Sequence, residues 1–413
     1  MTVLTGSKPP CGASSQKPQS TEPEIYCSLT ASLDFSNDAE EKWWTRTAPL
    51  LSRILDAAGY TLPQQCQFLT LYNTLMIPNF GPYPHVWHSS ITHSGLPVEF
   101  SVNYQPDKQP TVRIGFEPAS SISGTTRDPY NMITVSNVLN KMSGLNFKGF
   151  DPSLFHHLIG SLTLSKKESD LLQGAKLEGS KFKTQVAFGL DLKGDAVTVK
   201  TYLYPALKCK TTGLAFDKLL ENALSKHQNV HDFSRVLSVV NEYMEEGQCY
   251  NQYSFVGFDC VDSSKSRVKI YGALLDISWK KVEEVWTLGG RLAKSETNKK
   301  GIGYMRALWE YLTPGKERRP VGIWNYELLP GSGEPMPKFY VDMHGENDCQ
   351  NALGISRFLH HIGLTTKAEG FIREIREYFP GLNLEETTEV IQYVSFAWSK
   401  DGPYFSVYYL SSY

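Results

Sequence analysis

An evenly spaced repeat constrains this 413-residue chain more than any other feature of it. The segments Val199-Lys200-Thr201-Tyr202-Leu203, Val268-Lys269-Ile270-Tyr271-Gly272 and Pro337-Lys338-Phe339-Tyr340-Val341 share a Lys-x-Tyr core inside an extended run, and their lysines stand 69 residues apart. A fourth tyrosine, Tyr408 in Phe405-Ser406-Val407-Tyr408, follows Tyr340 after 68, and Thr111-Val112-Arg113-Ile114-Gly115 reads as a diverged first copy. Self-similarity at a constant period means one supersecondary unit used again and again, so five copies fill the chain.

Each core is preceded by a second strand-like run and a turn signal, which makes it the second arm of a hairpin. The turns fall at Pro106-Asp107-Lys108, Lys193-Gly194-Asp195, Asp262-Ser263-Ser264, Pro330-Gly331-Ser332-Gly333 and Lys400-Asp401-Gly402. Between hairpins lie amphipathic stretches with apolar residues near i, i+3, i+4 and i+7, mostly in pairs, such as Glu40 to Ala58, or Phe216 to Leu224 with Phe233 to Met244. The order is helix, helix, strand, strand, five times over. A flat antiparallel sheet of about ten strands would leave two edges open; closing it removes them, and a barrel of that size has room for a ligand. The expected fold is therefore α+β, a ten-stranded antiparallel β-barrel surrounded by α-helices. Residues 23–413 form the single domain, preceded by a disordered tail over 1–22 that is rich in Ser, Pro, Gly and Thr.

Charge narrows the ligand. The 41 basic and 43 acidic residues are spread evenly for a net −2, which gives no footprint for nucleic acid or an anionic membrane and favours a small molecule. Seven scattered cysteines with no C-x-x-C pair read as reduced thiols, and no apolar run reaches bilayer length, so the expected location is cytoplasmic, as a monomer or homodimer.

Side chains at i and i+2 of a strand share a face. With that face inward, Arg113, Lys200, Arg267, Lys269 and Lys338 form a cationic collar suited to a diphosphate, and Tyr202, Tyr271, Tyr340 and Tyr408 add ring faces that attract a carbocation and shield it from water. A single Lys-x-Tyr would be an exposed strand with packed tyrosines; repetition in register argues otherwise. Glu99, in Leu96-Pro97-Val98-Glu99-Phe100, becomes inside such a lumen a candidate acceptor for an N–H or O–H of the substrate and for a proton during reaction. Neither an Asp-Asp-x-x-Asp clamp nor a P-loop, a Gly-x-Gly-x-x-Gly or a Gly-x-Ser-x-Gly elbow is present. His85, His88 and His93 are broken by Pro84 and lack helical metal-binding spacing. No metal and no cofactor is expected.

These segments, with Met76-Ile77-Pro78-Asn79-Phe80-Gly81-Pro82 and Val199 to Pro205, resemble the fungal dimethylallyltryptophan synthase family of indole prenyltransferases from about residue 25 to 413. That family's fold is a barrel of five helix-helix-strand-strand units, the ABBA prenyltransferase barrel. The resemblance implies an enzyme that moves a dimethylallyl group from dimethylallyl diphosphate, with geranyl diphosphate as a second candidate, to an electron-rich aromatic small molecule without a metal. It implies that the five collar cations bind diphosphate and that Tyr393 joins the other four tyrosines in the shield. It further implies that Glu99 anchors the indole N–H, that Met76 and Ile77 pack on the acceptor, and that Gly322 lines the prenyl-length pocket, Ile323 being the neighbouring choice. Members acting on free tryptophan carry a lysine where Ala187 stands and an arginine where Ser254 stands. A neutral tryptophan-containing cyclic dipeptide, or another indole or phenolic metabolite, fits this chain better. A phenol or tyrosine prenyltransferase and a non-catalytic carrier of hydrophobic ligands are the competing readings.

Overall fold

The computed structural model describes residues 22–174, 183–225, 233–246, 251–313, 318–329 and 332–411; the expected tail, Glu22 apart, lies outside them, as do Pro330 and Gly331 of one expected turn. Among these described residues ten strands form: β1 Val98–Tyr104, β2 Thr111–Phe116, β3 Val186–Lys193, β4 Ala196–Leu203, β5 Asn251–Asp259, β6 Val268–Ser278, β7 Arg318–Leu328, β8 Met336–Asp342, β9 Ile391–Ser399 and β10 Gly402–Tyr409. Every neighbour is antiparallel, and β1 pairs with β10 through Phe100–Tyr409 and Tyr104–Phe405, so the sheet closes into a barrel with no free edge.

Pleating then assigns each residue to a face. In β8 Pro337, Phe339 and Val341 point outward, while Lys338, Tyr340 and Asp342 point into the lumen. The outward set packs on the surrounding helices: Phe396 of β9 stacks on Trp286 at 5.8 Å, and Phe405 of β10 meets Phe358 edge-on at 5.0 Å. The core is thus a shell between barrel and helices, which leaves the lumen free for chemistry.

The helical layer departs from strict pairing. Trp279–Trp286 with Glu296–Leu312, and Asp348–His361 with Thr365–Tyr378, are pairs, but a third, shorter helix joins each of the other groups: Glu24–Thr30, Lys166–Gly174 and Ala206–Thr212. These helices have seven to nine residues, too short for an apolar stripe to stand out in the sequence. Among the described residues no helix is long and apolar enough to cross a membrane, and Cys27, Cys66, Cys209, Cys260 and Cys349 are free thiols.

One connection matters for the site. The segment from Trp87 to Gly95 lies over one barrel mouth, held by the buried carboxyl of Glu117, which accepts from Trp87 Nε1 at 2.8 Å, Ser89 Oγ at 2.6 Å and Thr184 Oγ1 at 2.8 Å. Burial pushes that carboxyl up to about 7 despite these donors.

Candidate active site

The repeated cations meet inside the barrel. Arg113 Nε lies 3.1 Å from Asp191, which also pairs with Lys200; Arg267 reaches Asp259 at 2.7 Å and Glu327 at 3.3 Å, and Lys269 reaches Glu327 at 3.2 Å. Burial alone would raise the Asp191 carboxyl, but Arg113 and Lys200 outweigh it and hold it well below the usual carboxylate range. Five cations against three buried carboxylates leave an excess of positive charge inside the barrel. Lys338 differs from the others in having no carboxylate partner among the described residues. Its ammonium sits 5.0 Å from the ring centroids of both Tyr340 and Tyr404. Burial, then Arg113, Lys269 and Lys200, push its pKa well below that of an ordinary lysine.

Next to the collar the tyrosines form a continuous wall. Successive ring centroids lie 6.1 Å apart for Tyr202–Tyr271, 6.2 Å for Tyr271–Tyr340, 6.1 Å for Tyr340–Tyr408 and 5.0 Å for Tyr408–Tyr393. Burial raises the pKa of all five hydroxyls, so the rings stay neutral and present their electron-rich faces and phenol dipoles. Glycines create the room they occupy: a Cβ on Gly257 would come within 2.9 Å of the Tyr202 ring.

The first repeat breaks the pattern where the substrate space begins. Gly115 stands in the tyrosine register of its copy, opposite Glu99, and a Cβ there would lie 2.9 Å from Glu99 Cγ. The missing ring thus leaves space for a carboxylate instead. Glu99 borders a cavity of about 300 Å³ that the tyrosines also line, and accepts from the Tyr393 hydroxyl at 2.8 Å. Desolvation pushes its carboxyl up to about 7, opposed by that hydrogen bond and by the charge of His93. The same Tyr393 hydroxyl lies 2.9 Å from the carbonyl of Ile91, tying the segment over the mouth to the acid. His93, from that segment, lines the cavity and pairs through Nε2 with Asp342 at 3.2 Å.

Three expected placements change. Gly322 lies on the outer face of β7, where a Cβ would meet Ile277 Cδ1 at 2.4 Å and Phe339 at 2.9 Å; the lumen position is Ile323, opposite Tyr340 and in the cavity wall. A one-residue shift in a strand reverses the face, which decides between the two. Met76 and Ile77 are fully buried in the core cluster and do not line the cavity, because the helical turns Tyr72–Met76 and Ile77–Asn79 face them into the shell. Phe255, two residues before Gly257 and opposite Tyr271, is the β5 residue that parity turns into the cavity, its ring stacked on Tyr271 at 4.1 Å, whereas Ser254 falls where the pairing of β5 becomes irregular.

Sequence reasoning missed the counter-charges Asp191, Asp259 and Glu327, and Tyr404, which contacts Arg113. The parity of the strands was the available signal. Asp191 faces Arg113, Asp259 faces Lys200 and Glu327 faces Lys269 across the sheet. In the sequence His93 stands out only beside His85 and His88, without metal-binding spacing; its pairing with Asp342 joins distant parts of the chain.

With this geometry in hand, comparison with known proteins is specific. The family described as Tryptophan dimethylallyltransferase matches residues 39–374. The chain is 86% identical over 382 residues to prenyltransferase phqJ of Penicillium fellutanum, covering 92% of this chain and 94% of that protein. It is similar to the solved structure of NotF in complex with brevianamide F and DMSPP, with TM-score 0.88 and 37% identity over 94% of this chain and 99% of that one. It is also similar to AnaPT from Neosartorya fischeri, with TM-score 0.85 and 28% identity over 94% and 98%.

Proposed function

The chain belongs to the tryptophan dimethylallyltransferase family, and from that premise we propose that it transfers a dimethylallyl group from dimethylallyl diphosphate to a tryptophan-containing cyclic dipeptide in the cytoplasm. The observation that carries this reading is the single cavity wall shared by a cation-shielding tyrosine ring and a carboxylate, beside a collar of side-chain cations. The complex of NotF with brevianamide F supports the acceptor class. So does the cavity lining, which among the described residues includes Ala187 and Phe255 and no lysine or arginine. The histidine of that lining, His93, is already paired with Asp342. A free amino-acid carboxylate would enter without a partner, at a desolvation cost that a neutral diketopiperazine avoids.

In the proposed reaction Arg113, Lys200, Arg267, Lys269 and Lys338 hold the diphosphate and neutralise the charge that grows on it as the allylic C–O bond breaks. Tyr202, Tyr271, Tyr340, Tyr393 and Tyr408 face the resulting cation and keep water from it. The aromatic carbon forms the new bond, and Glu99 accepts the proton released. The test is incubation with dimethylallyl diphosphate and a panel of free tryptophan, tryptophan-containing cyclic dipeptides and phenols, read by mass. Prenylation confined to phenols or free tryptophan would overturn the acceptor. Because the collar is built from side-chain cations, turnover is expected to persist in excess chelator; loss of activity that magnesium restores would contradict this.

Ile323 is expected to limit donor length. Ile323→Ala should raise ten-carbon over five-carbon transfer severalfold when dimethylallyl and geranyl diphosphates compete. Gly322→Met should instead lower the melting temperature through its contacts with Ile277 and Phe339, leaving that ratio unchanged.

A further inference from the structure

The proposed base sits in an apolar lumen that works against its own ionisation, and the residues around its cavity contain a device that opposes this. Glu99 is faced by Tyr393 of β9, Tyr408 of β10 and Tyr204 just after β4, all with pKa values raised by burial. Opposite Glu99, β2 presents only Gly115. The positive group beside it is His93, from the segment over the mouth. His93 Nε2 lies 3.2 Å from Asp342 Oδ1, and its ring stacks on His344 at 4.6 Å. Asp342 is fixed in turn, because Arg319 donates to its main-chain oxygen at 2.6 Å and its carboxylate accepts from the His344 N–H at 3.1 Å. The Glu117 anchor and the Tyr393–Ile91 bond hold the segment that carries His93 in place.

We propose that His93, ion-paired with Asp342 at the mouth of the cavity, is a positioning residue that holds Glu99 as a carboxylate for the proton-accepting step. The proposal rests on Glu99 being the base. The hydrogen bond to Asp342 raises the His93 pKa against the effect of burial, which favours the imidazolium beside Glu99. An imidazolium that favours the carboxylate lowers the pH at which the base becomes competent, whereas His93 acting only as cavity wall would leave that pH alone.

The measurement is single-turnover transfer against pH for wild type, His93→Gln, His93→Lys and Asp342→Asn. The two variants that remove the charge or its support should move the acidic limb upward by about one pH unit, close to a tenfold loss on that limb. His93→Lys should keep the limb near its wild-type position. Asp342→Asn retains an acceptor for the His344 N–H, and His93 is partly exposed, so folding should survive; melting curves check it. A His93→Gln rate lowered by the same factor at every pH would overturn the proposal. An infrared titration separates it from the assignment of the base: the protonated-carboxyl band that Glu99→Gln abolishes should persist to higher pH in His93→Gln. If Glu99→Gln retains turnover, the base assignment fails while this band still reports whether His93 sets the charge of Glu99; an unmoved band sinks the inference alone.

Discussion

Replacing Glu99 by Gln is expected to slow prenyl transfer by about two to four orders of magnitude, the range for a positioned acid or base, while donor affinity stays near wild type. An aromatic ring attacking an allylic cation becomes positively charged, and a carboxylate bonded to its N–H stabilises that charge as it develops. Gln keeps the size and one acceptor for the Tyr393 hydroxyl but supplies neither charge nor basicity. Donor binding belongs to cations on the other side of the tyrosine ring and should not change. Stability moves the opposite way. The folded pKa of Glu99, about 7, exceeds the ordinary 4.5, so its charge destabilises the fold increasingly between those values and fully above them. Glu99→Gln should therefore melt higher than wild type at pH 8 and show no gain at pH 4. Single-turnover transfer beside donor affinity, with melting at both pH values, checks the three expectations together. Retention of more than about a tenth of wild-type transfer would lie outside the range for a general base.

The barrel was legible because repetition carries long-range information that a single strand does not. Lys200, Lys269 and Lys338 in register required five hairpins, and closure followed from the edges. Strand parity then sets the cations and tyrosines on one face together, since a period of two leaves only two choices of face. Between Gly322 and Ile323, which differ by one residue and lie on opposite faces, the family resemblance alone leaves both open and parity decides which one faces the lumen. Irregular backbone hid the rest. Nothing in the pattern around Met76 shows that its turn buries it away from the lumen, nor that the pairing of β5 shifts between Tyr253 and Phe255. The His93–Asp342 pair depends on a segment without regular structure folding back over the mouth, which no periodicity encodes.

Lys338→Met is expected to weaken donor binding by about ten- to a hundredfold, the worth of a charge-assisted hydrogen bond in a dry site. It should stabilise the free protein at the same time. Arg113 and Lys200 share Asp191, and Arg267 and Lys269 share Glu327, so those four are held partly compensated before any ligand arrives. Lys338 rests on the faces of Tyr340 and Tyr404, with no carboxylate paired to it among the described residues. Its folded pKa lies well below the ordinary 10.5, so its protonated form disfavours folding below the folded pKa, and that effect is lost as pH rises toward 10.5. Met fills the space without the charge; its gain in melting temperature should be present near neutrality and fade at high pH. For donor binding the sign is reversed, because the diphosphate supplies the missing counter-charge and draws a proton onto Lys338. Wild-type affinity for an inert analogue of dimethylallyl diphosphate should fall as pH rises through the pKa of the free lysine, and the variant should lack this dependence. Comparing the two cancels the donor's own titration. Equal pH dependence in both proteins would mean that Lys338 does not change its protonation when the donor binds, which would overturn the proton uptake assigned to it.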